Sequence, residues 1–290
     1  MDTIEMAPPS SQLLTTVEGE LRKMRTELVD PVRYTLDLGG QALCVNDWLG
    51  AKIAIEHLAE IRCVYCSRKT NKSFNQGYCY PCFKNLAQCD TCIVKPHTCH
   101  YDEGTCREPE WALNHCLQTH VVYLANSTGV KVGITRLNQV PTRWMDQGAI
   151  QALAIARVES RLISGLVEVE LANFVSDRTQ WQRMLKGDVE VLDLEAKREE
   201  LWPQIEGPLK KLVDHYGEDA IEYIDDGNPI DIHYPVDVYP TKVKALNLDK
   251  TPSVQGRLMG IKGQYLILDT GVLNIRKFAG YRVRLSVEHD

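Results

Sequence analysis

No stretch of the chain approaches the ~18–20 consecutive apolar residues that a membrane-spanning helix needs, so a membrane partner is not expected. The opening residues, MDTIEMAPPSSQLL, hold two acids, no early Lys or Arg and no apolar core segment. A secretory signal requires the last two, so none is read here and the cytoplasm is the expected compartment. Excess basic charge is missing as well. The 33 Lys and Arg are outnumbered by 39 Asp and Glu, for a formal net charge of −6. That argues against a protein that coats nucleic acid through bulk charge, although a local basic surface can still bind, because the distribution of charge matters more than its sum. Tandem repeats are absent; TLDLGG near the start and LILDTG near the end are only weakly alike.

What the chain does have is cysteine. In a protein expected to be cytoplasmic, ten cysteines point to metal binding rather than to disulfides. Nine of them fall in residues 63–116. Cys63-x2-Cys66 is followed after twelve residues by Cys79-x2-Cys82. Each CxxC turn presents two thiolates to one ion, and two such turns complete the tetrahedral sulfur shell that Zn²⁺ prefers. With all four positions taken by protein, the site is expected to be structural. Four thiolates also suit an iron–sulfur centre, which stays open at this point. A second set follows, Cys89, Cys92, Cys99 and Cys106, for which His97 or His100 can substitute at one position, and His115 is also nearby. The expected content is therefore one to two zinc ions. Cys44 and Cys116 are left over and read as small buried residues.

The first cysteine pair of turns is also basic. Arg62, Arg68, Lys69, Lys72 and Lys84 occur with no acid before Asp90, and Tyr65, Phe74, Tyr78, Tyr80 and Phe83 are interleaved with them. Cations for phosphates and rings for bases make a nucleic-acid surface. The competing reading is a metal-centred mini-core with its rings packed inside and its charges solvated.

Around this segment the expected class is α+β. Residues 1–16 read as a loose arm and 17–62 as short strands broken at Asp30-Pro31 and Gly39-Gly40. A zinc-binding module is expected over 63–118 and an α/β domain over 119–187, with QALAIARV as a strand and GLVEVELANFV as a helix. Residues 188–240 read as a helical acidic segment: 193–237 carries thirteen acids against four Lys and Arg. In PLKKLVDHY, Leu209, Leu212, Val213 and Tyr216 share one helical face. Residues 241–290 return to strands, so a β-rich domain built from both ends of the chain is expected. In that last part Lys262, Asn274, Arg276 and Lys277 are candidates for a second phosphate-contacting patch, against the alternative of strand charges that discourage edge pairing.

Residues 121–149, VVYLANSTGVKVGITRLNQVPTRWMDQGA, resemble the GIY-YIG nuclease superfamily. The resemblance covers roughly 120–187. Val121-Val122-Tyr123 stands for the first motif, which ends in tyrosine on the first strand. Lys131-Val132-Gly133 stands for the second, which ends in glycine on the second strand. An arginine on the next helix corresponds to Arg143. A helical, metal-binding glutamate after a further strand corresponds to Glu168, with Glu170 as second choice. The resemblance implies that Tyr123 orients or activates a water, that Arg143 neutralises charge on the reacting phosphate, and that Glu168 holds one Mg²⁺. Lys131 replaces the usual tyrosine, as in some branches of the superfamily, and Val121 replaces glycine. Trp144 and Asp146 stand where a His or Tyr usually follows the arginine. A lysine binds phosphate well but is a poor base unless its pKa falls.

Nearly end to end, the chain is also similar to a bacterial family known as "domain of unknown function 2797". NKSFNQGYCYPCF, QCDTCIVKPHTCHY, GTCREPEW, VKVGIT, VPTRWMDQGA and GIKGQYLILDTGVLNIRK carry that similarity. The expected function is a zinc-containing protein that binds RNA or DNA, with a Mg²⁺-dependent endonuclease site at Tyr123, Lys131, Arg143 and Glu168. Contacts to nucleic acid are expected from Arg68, Lys69, Lys72, Lys84 and Arg136. The rival is a non-catalytic zinc scaffold that grips RNA, DNA or a protein partner.

Overall fold

The structure, a computed structural model, describes residues 14–176 and 178–288. Of the arm expected over 1–16, residues 1–13 lie outside the described residues, and the first strand begins at Leu14.

The two ends of the chain meet in one sheet. β1 (Leu14–Glu20) pairs with β15 (Tyr281–Glu288), which pairs with β5 (Lys52–Arg62). β12 (Ser253–Lys262), β13 (Tyr265–Leu268) and β14 (Gly271–Asn274) continue the order, and β6 (Lys69–Thr70) hangs from β5. All these pairings are antiparallel. In β15 the sequence YRVRLSVE alternates buried and less buried positions, as a strand with one face on a core must. β2 (Arg25–Glu27), β3 (Arg33–Leu38) and β4 (Gln41–Cys44) form a small second sheet; β3 turns into β4 at Gly39-Gly40, both at positive φ.

The middle sheet has the order β10–β9–β7–β8: β7 (His120–Asn126), β8 (Val130–Arg136), β9 (Gln151–Val158) and β10 (Ile221–Tyr223). A short β11 (Ile230–Asp231) also pairs with β9. Every residue of β7 is buried, because both faces of this sheet are covered. Val121, Tyr123 and Ala125 join the core shared with the terminal sheet, while Val122 and Leu124 face a second core under the helices. The period of two along a strand is what divides them.

Among the described residues, seven α-helices complete the fold. α1 (Tyr80–Asn85) and α2 (Pro109–Leu113) belong to the Cys-rich segment, which is otherwise held by 3-10 turns. α3 (Thr142–Asp146) connects β8 to β9, and α4 (Arg161–Leu171) follows β9. α4 starts at Ser160, whose hydroxyl accepts the Ile163 N–H, and so begins four residues before the expected GLVEVELANFV. α5 (Trp181–Met184), α6 (Leu194–Leu201) and α7 (Glu206–Tyr216) come next; α6 is capped by Asp193 through the Ala196 N–H. The acidic segment is thus only partly helical, since β10 and β11 run back onto the middle sheet. The molecule is α+β with antiparallel sheets, and no helix among the described residues is long and apolar enough to cross a membrane.

Candidate functional site

The first pair of CxxC turns forms where β5 ends. Ser67 donates its N–H to the Cys63 carbonyl, and Val64 donates to Gly77 on the returning segment. Gly77 has φ +129°, and a Cβ there would sit 2.4 Å from a Val64 methyl, so the two turns close on each other only through a glycine. Cys79 then caps α1, with Phe83 donating to its carbonyl. The result brings one sulfur from each of Cys63, Cys66, Cys79 and Cys82 within 4.8 Å of one another; the Cys66 and Cys79 sulfurs are 3.7 Å apart. This group can hold a metal ion. Burial raises the Cys63 pKa, but backbone N–H groups of Cys66, Cys79 and Tyr65 outweigh it and bring the thiol down to about 6. Cys82 is pushed up, by burial and by the thiols beside it.

Of the expected second set, Cys92, Cys99 and Cys106 line one small cavity, which Cys116, the residue read as small and buried, also lines. Cys89 does not line it; its surroundings are Asn75, Arg107, Cys63 and Glu108. Asp90, Cys92 and His100 bring donor atoms within 4.8 Å of each other beside the same cavity.

On the outer face of the first site, Phe74 stacks on Phe83 and meets Tyr80 edge-on, both at 5.5 Å. Part of the aromatic set is thus a mini-core. Tyr65 and Tyr80 remain 58% and 55% exposed. Arg68, Lys69, Lys72 and Lys84 are exposed on the same segment, and Arg136 is half-buried at the end of β8. Lys72 lies over the Phe74 ring, and Lys69 pairs with Glu60 at 3.7 Å.

The remaining candidates approach Tyr123 of the middle sheet, Glu168 from the helix that covers the opposite face. Tyr123 of β7 is directly opposite Gly133 of β8. A Cβ at Gly133 would lie 2.7 Å from Cζ and Oη of Tyr123, so the missing side chain is the space in which the ring lies. Trp144 of α3 closes on the ring edge-on at 5.8 Å. The Tyr123 hydroxyl donates to Gln147 Oε1 at 3.1 Å, and Lys131 Nζ donates to the same oxygen at 2.5 Å. Gln147 was not singled out from the sequence; its position four residues after Arg143, one helical turn further on, was the available signal. Tyr123 is wholly buried, and burial pushes its pKa up to about 12; Arg143 nearby pulls it down and Glu168 pushes it up. Arg143 and Glu168 thus both lie within electrostatic reach of Tyr123, and Lys131 meets it through Gln147.

Two further arginines approach it. Burial lowers the pKa of Arg161, at the start of α4, and of Arg276, just beyond β14, and the charge of Arg143 lowers each further. Arg276 came from the suspected C-terminal patch, and the structure splits that patch. Lys262 is 0% exposed, between Tyr234 and Tyr239, while Asn274 accepts the Lys277 N–H.

Supports from elsewhere fix the helices that carry these groups. Gln264, in the β12–β13 turn, donates to Asp146 at 2.9 Å, and Lys23 pairs with the other Asp146 oxygen, which ties α3 to the terminal sheet. Gly165 of α4 sits against Pro96 and His97, where a Cβ would be 2.5 Å from Pro96 Cβ. Arg161 Nη2 donates to the Ile93 carbonyl at 2.6 Å. The Cys-rich segment therefore braces the helix that carries Glu168.

Fold and site together define an α+β protein with a four-cysteine cluster able to hold a metal ion, in a Cys-rich segment that packs against α4. Residues 50–283 match the family described as "Protein of unknown function (DUF2797)", and the chain belongs to that family. Searches of curated proteins and of solved structures each found no match.

Proposed function

We propose that the chain is a zinc-containing nucleic-acid-binding protein whose central cleft engages a phosphodiester and cleaves it in a Mg²⁺-dependent reaction. The observation that carries this reading is the convergence of Tyr123, Lys131, Arg143 and Glu168 from β7, β8, α3 and α4. Their order along the chain, with β9 between α3 and α4, is the strand–strand–helix–strand–helix order of the resemblance.

Charge supports the anionic substrate. Arg161 and Arg276 each lie near Arg143, and Lys131 is held by Gln147 one helical turn from it, although the chain as a whole is acidic. Glu168 and Asp146 offset part of this positive charge, and a phosphodiester is the further anion that the cluster suits. Arg143 binds a phosphate oxygen and offsets the charge that builds up during displacement. Lys131, held by Gln147, offers a second cation. Tyr123 keeps its proton at neutral pH, so it acts as a donor that orients and not as a base. Glu168 fits Mg²⁺, because that ion takes one or two carboxylates and leaves the rest of its shell to water and substrate oxygens. Bound there, Mg²⁺ supplies electrophilic stabilisation of the phosphate. At the first cysteine site, four thiolates suit Zn²⁺ in a closed, structural role. Arg68, Lys69, Lys72, Lys84 and Arg136 then give the flanking strand its backbone contacts.

A second reading, a scaffold that binds without cutting, is favoured by one observation: Tyr123 is completely buried. The two separate on labelled single- and double-stranded RNA and DNA, with and without Mg²⁺. For the nuclease, wild type cuts at least one substrate only with Mg²⁺, and Arg143→Ala and Glu168→Ala each abolish cutting. For the scaffold, nothing is cut, Arg143→Ala weakens binding and Glu168→Ala does not.

A further inference from the structure

We propose that Asp90, Cys92 and His100 form a second metal site, which takes one divalent cation of the zinc class and keeps a fourth position for water. The three residues lie on one loop beyond α1: Asp90 caps a 3-10 turn, Cys92 stands within it, and His100 follows the next turn. One donor atom from each lies within 4.8 Å of the other two, beside the small cavity that all three line. That cavity has a volume of about 10 Å³. This is roughly the room one water occupies.

The contact between Asp90 and His100 carries the argument. His100 Nε2 is 3.4 Å from Asp90 Oδ2, with no hydrogen bond between them. The Thr105 hydroxyl donates to the His100 carbonyl at 3.3 Å, so it accepts from the ring at Nδ1, 2.7 Å away. The ring proton is then on Nδ1, and the Nε2 lone pair faces a carboxylate oxygen. Two lone pairs so placed repel unless a cation joins them. Nitrogen and oxygen ligands about 2.0–2.1 Å from a tetrahedral zinc stand about 3.3–3.4 Å apart, the separation found here. The first site obeys the same geometry. Thiolates about 2.3 Å from zinc stand about 3.8 Å apart, and the Cys66 and Cys79 sulfurs are 3.7 Å apart.

The surroundings suit the ion. Asp90 Oδ1 accepts the Thr91 N–H at 2.6 Å, and Oδ2 accepts from Arg107 Nε at 2.8 Å. A carboxylate oxygen has two lone pairs, so Oδ2 can accept from Arg107 and bind the ion together. Binding displaces one proton, from the Cys92 thiol to solvent. Zn²⁺, one carboxylate, one thiolate and a neutral imidazole sum to zero charge, which suits a largely buried place. Arg107 also donates to the Phe83 and Leu86 carbonyls at the end of α1, which ties this loop to the first site.

The consequence reaches the central cleft. The loop between Asp90 and His100 is the one on which α4 rests, through Gly165 against Pro96 and His97 and through Arg161 on the Ile93 carbonyl. An ion that joins the two ends of this loop holds it, and through it α4.

The test is zinc content by elemental analysis of the purified full-length protein, for wild type, Cys92→Ser, His100→Ala and Cys106→Ala, with zinc-edge X-ray absorption of wild type. We expect two zinc ions per chain in wild type and in Cys106→Ala, and one in Cys92→Ser and in His100→Ala. The absorption should show about five sulfurs shared between two ions, with nitrogen and oxygen completing the shells. It reads wild type alone, so it decides even if the variants fail to fold. One zinc in wild type, two in His100→Ala, loss of an ion from Cys106→Ala, or shells of sulfur alone would overturn the assignment. None of these readouts depends on nuclease activity.

Discussion

Substituting Gly133 tests whether the Tyr123 pocket is as tight as it looks. The Gly133 backbone does not require a positive φ, so Gly133→Ala adds one methyl group and little backbone strain. That methyl would lie 2.7 Å from Cζ and Oη of Tyr123. The ring cannot give way cheaply: it is wholly buried, Trp144 abuts it, and its hydroxyl is held by Gln147. Overpacking of this kind costs roughly 1–3 kcal/mol. Tyr123→Leu removes the ring and should cost about 2 kcal/mol, less than a full truncation because Leu refills part of the space. The double variant lacks the clash, so its loss should fall short of the sum by about 1 kcal/mol or more. Urea unfolding followed by tryptophan fluorescence reads all four proteins, with Trp144 beside the altered residue as a local reporter. A neutral Gly133→Ala, or strict additivity, would refute the reasoning. Under the nuclease proposal, Gly133→Ala should also depress cleavage more than its stability loss accounts for, because displacing the phenol displaces Gln147 and Lys131.

Cys66→Ser should lose one metal ion and much of the soluble yield together, since the segment around the first site is short and relies on the ion; a folded, soluble variant with full metal content would contradict this. Reversing Lys69 and Lys72 to Glu should weaken nucleic-acid binding and flatten its salt dependence by about two units of slope if each lysine meets a phosphate of duplex DNA, measured by anisotropy across salt concentrations. His120 gives a pH dependence. It is fully buried, donates from Nδ1 to the Gln118 carbonyl, and burial lowers its pKa to about 4 from an ordinary value near 6.5. Between these values the unfolded chain binds the proton and the folded chain does not, so stability falls as pH drops from about 6.5 toward 4. The loss is on the order of 3 kcal/mol when complete. Denaturant unfolding at pH 7.5 and 4.5 should show a smaller acid loss in His120→Asn than in wild type.

Much of the architecture was legible because it depends on local spacing. CxxC twice, twelve residues apart, constrains two turns to one ion whatever surrounds them, and the four sulfurs are found together. Strands β7, β8 and β9 and helix α7 follow their hydrophobic periods, and the β character of both ends foretold a shared sheet. The second cysteine group was harder. Cys89-x2-Cys92 has the same form as the first two turns, yet only Cys92 faces the cavity, and Cys116 arrives from beyond α2. Spacing cannot foresee which side chains a cavity formed by distant segments will gather. Lys262 looked like an exposed strand charge and is buried between tyrosines, because the connection after β11 covers it.

By itself the sequence determined the inventory of chemistry: paired thiols, a tyrosine and a glycine on neighbouring strands, an arginine and a glutamate on successive helices. The thiol pairs and the strands and helices follow from local spacing and periodicity, and the four side chains were picked out by the resemblance that residues 121–149 carry. Tertiary structure alone decided that Arg276, more than a hundred residues from Arg143, approaches it. It also decided that Gln147 is shared by Tyr123 and Lys131, and that α4 rests on the cysteine loop. Such meetings arise from the way sheets and helices stack to bury their apolar faces, a global property that no single segment encodes.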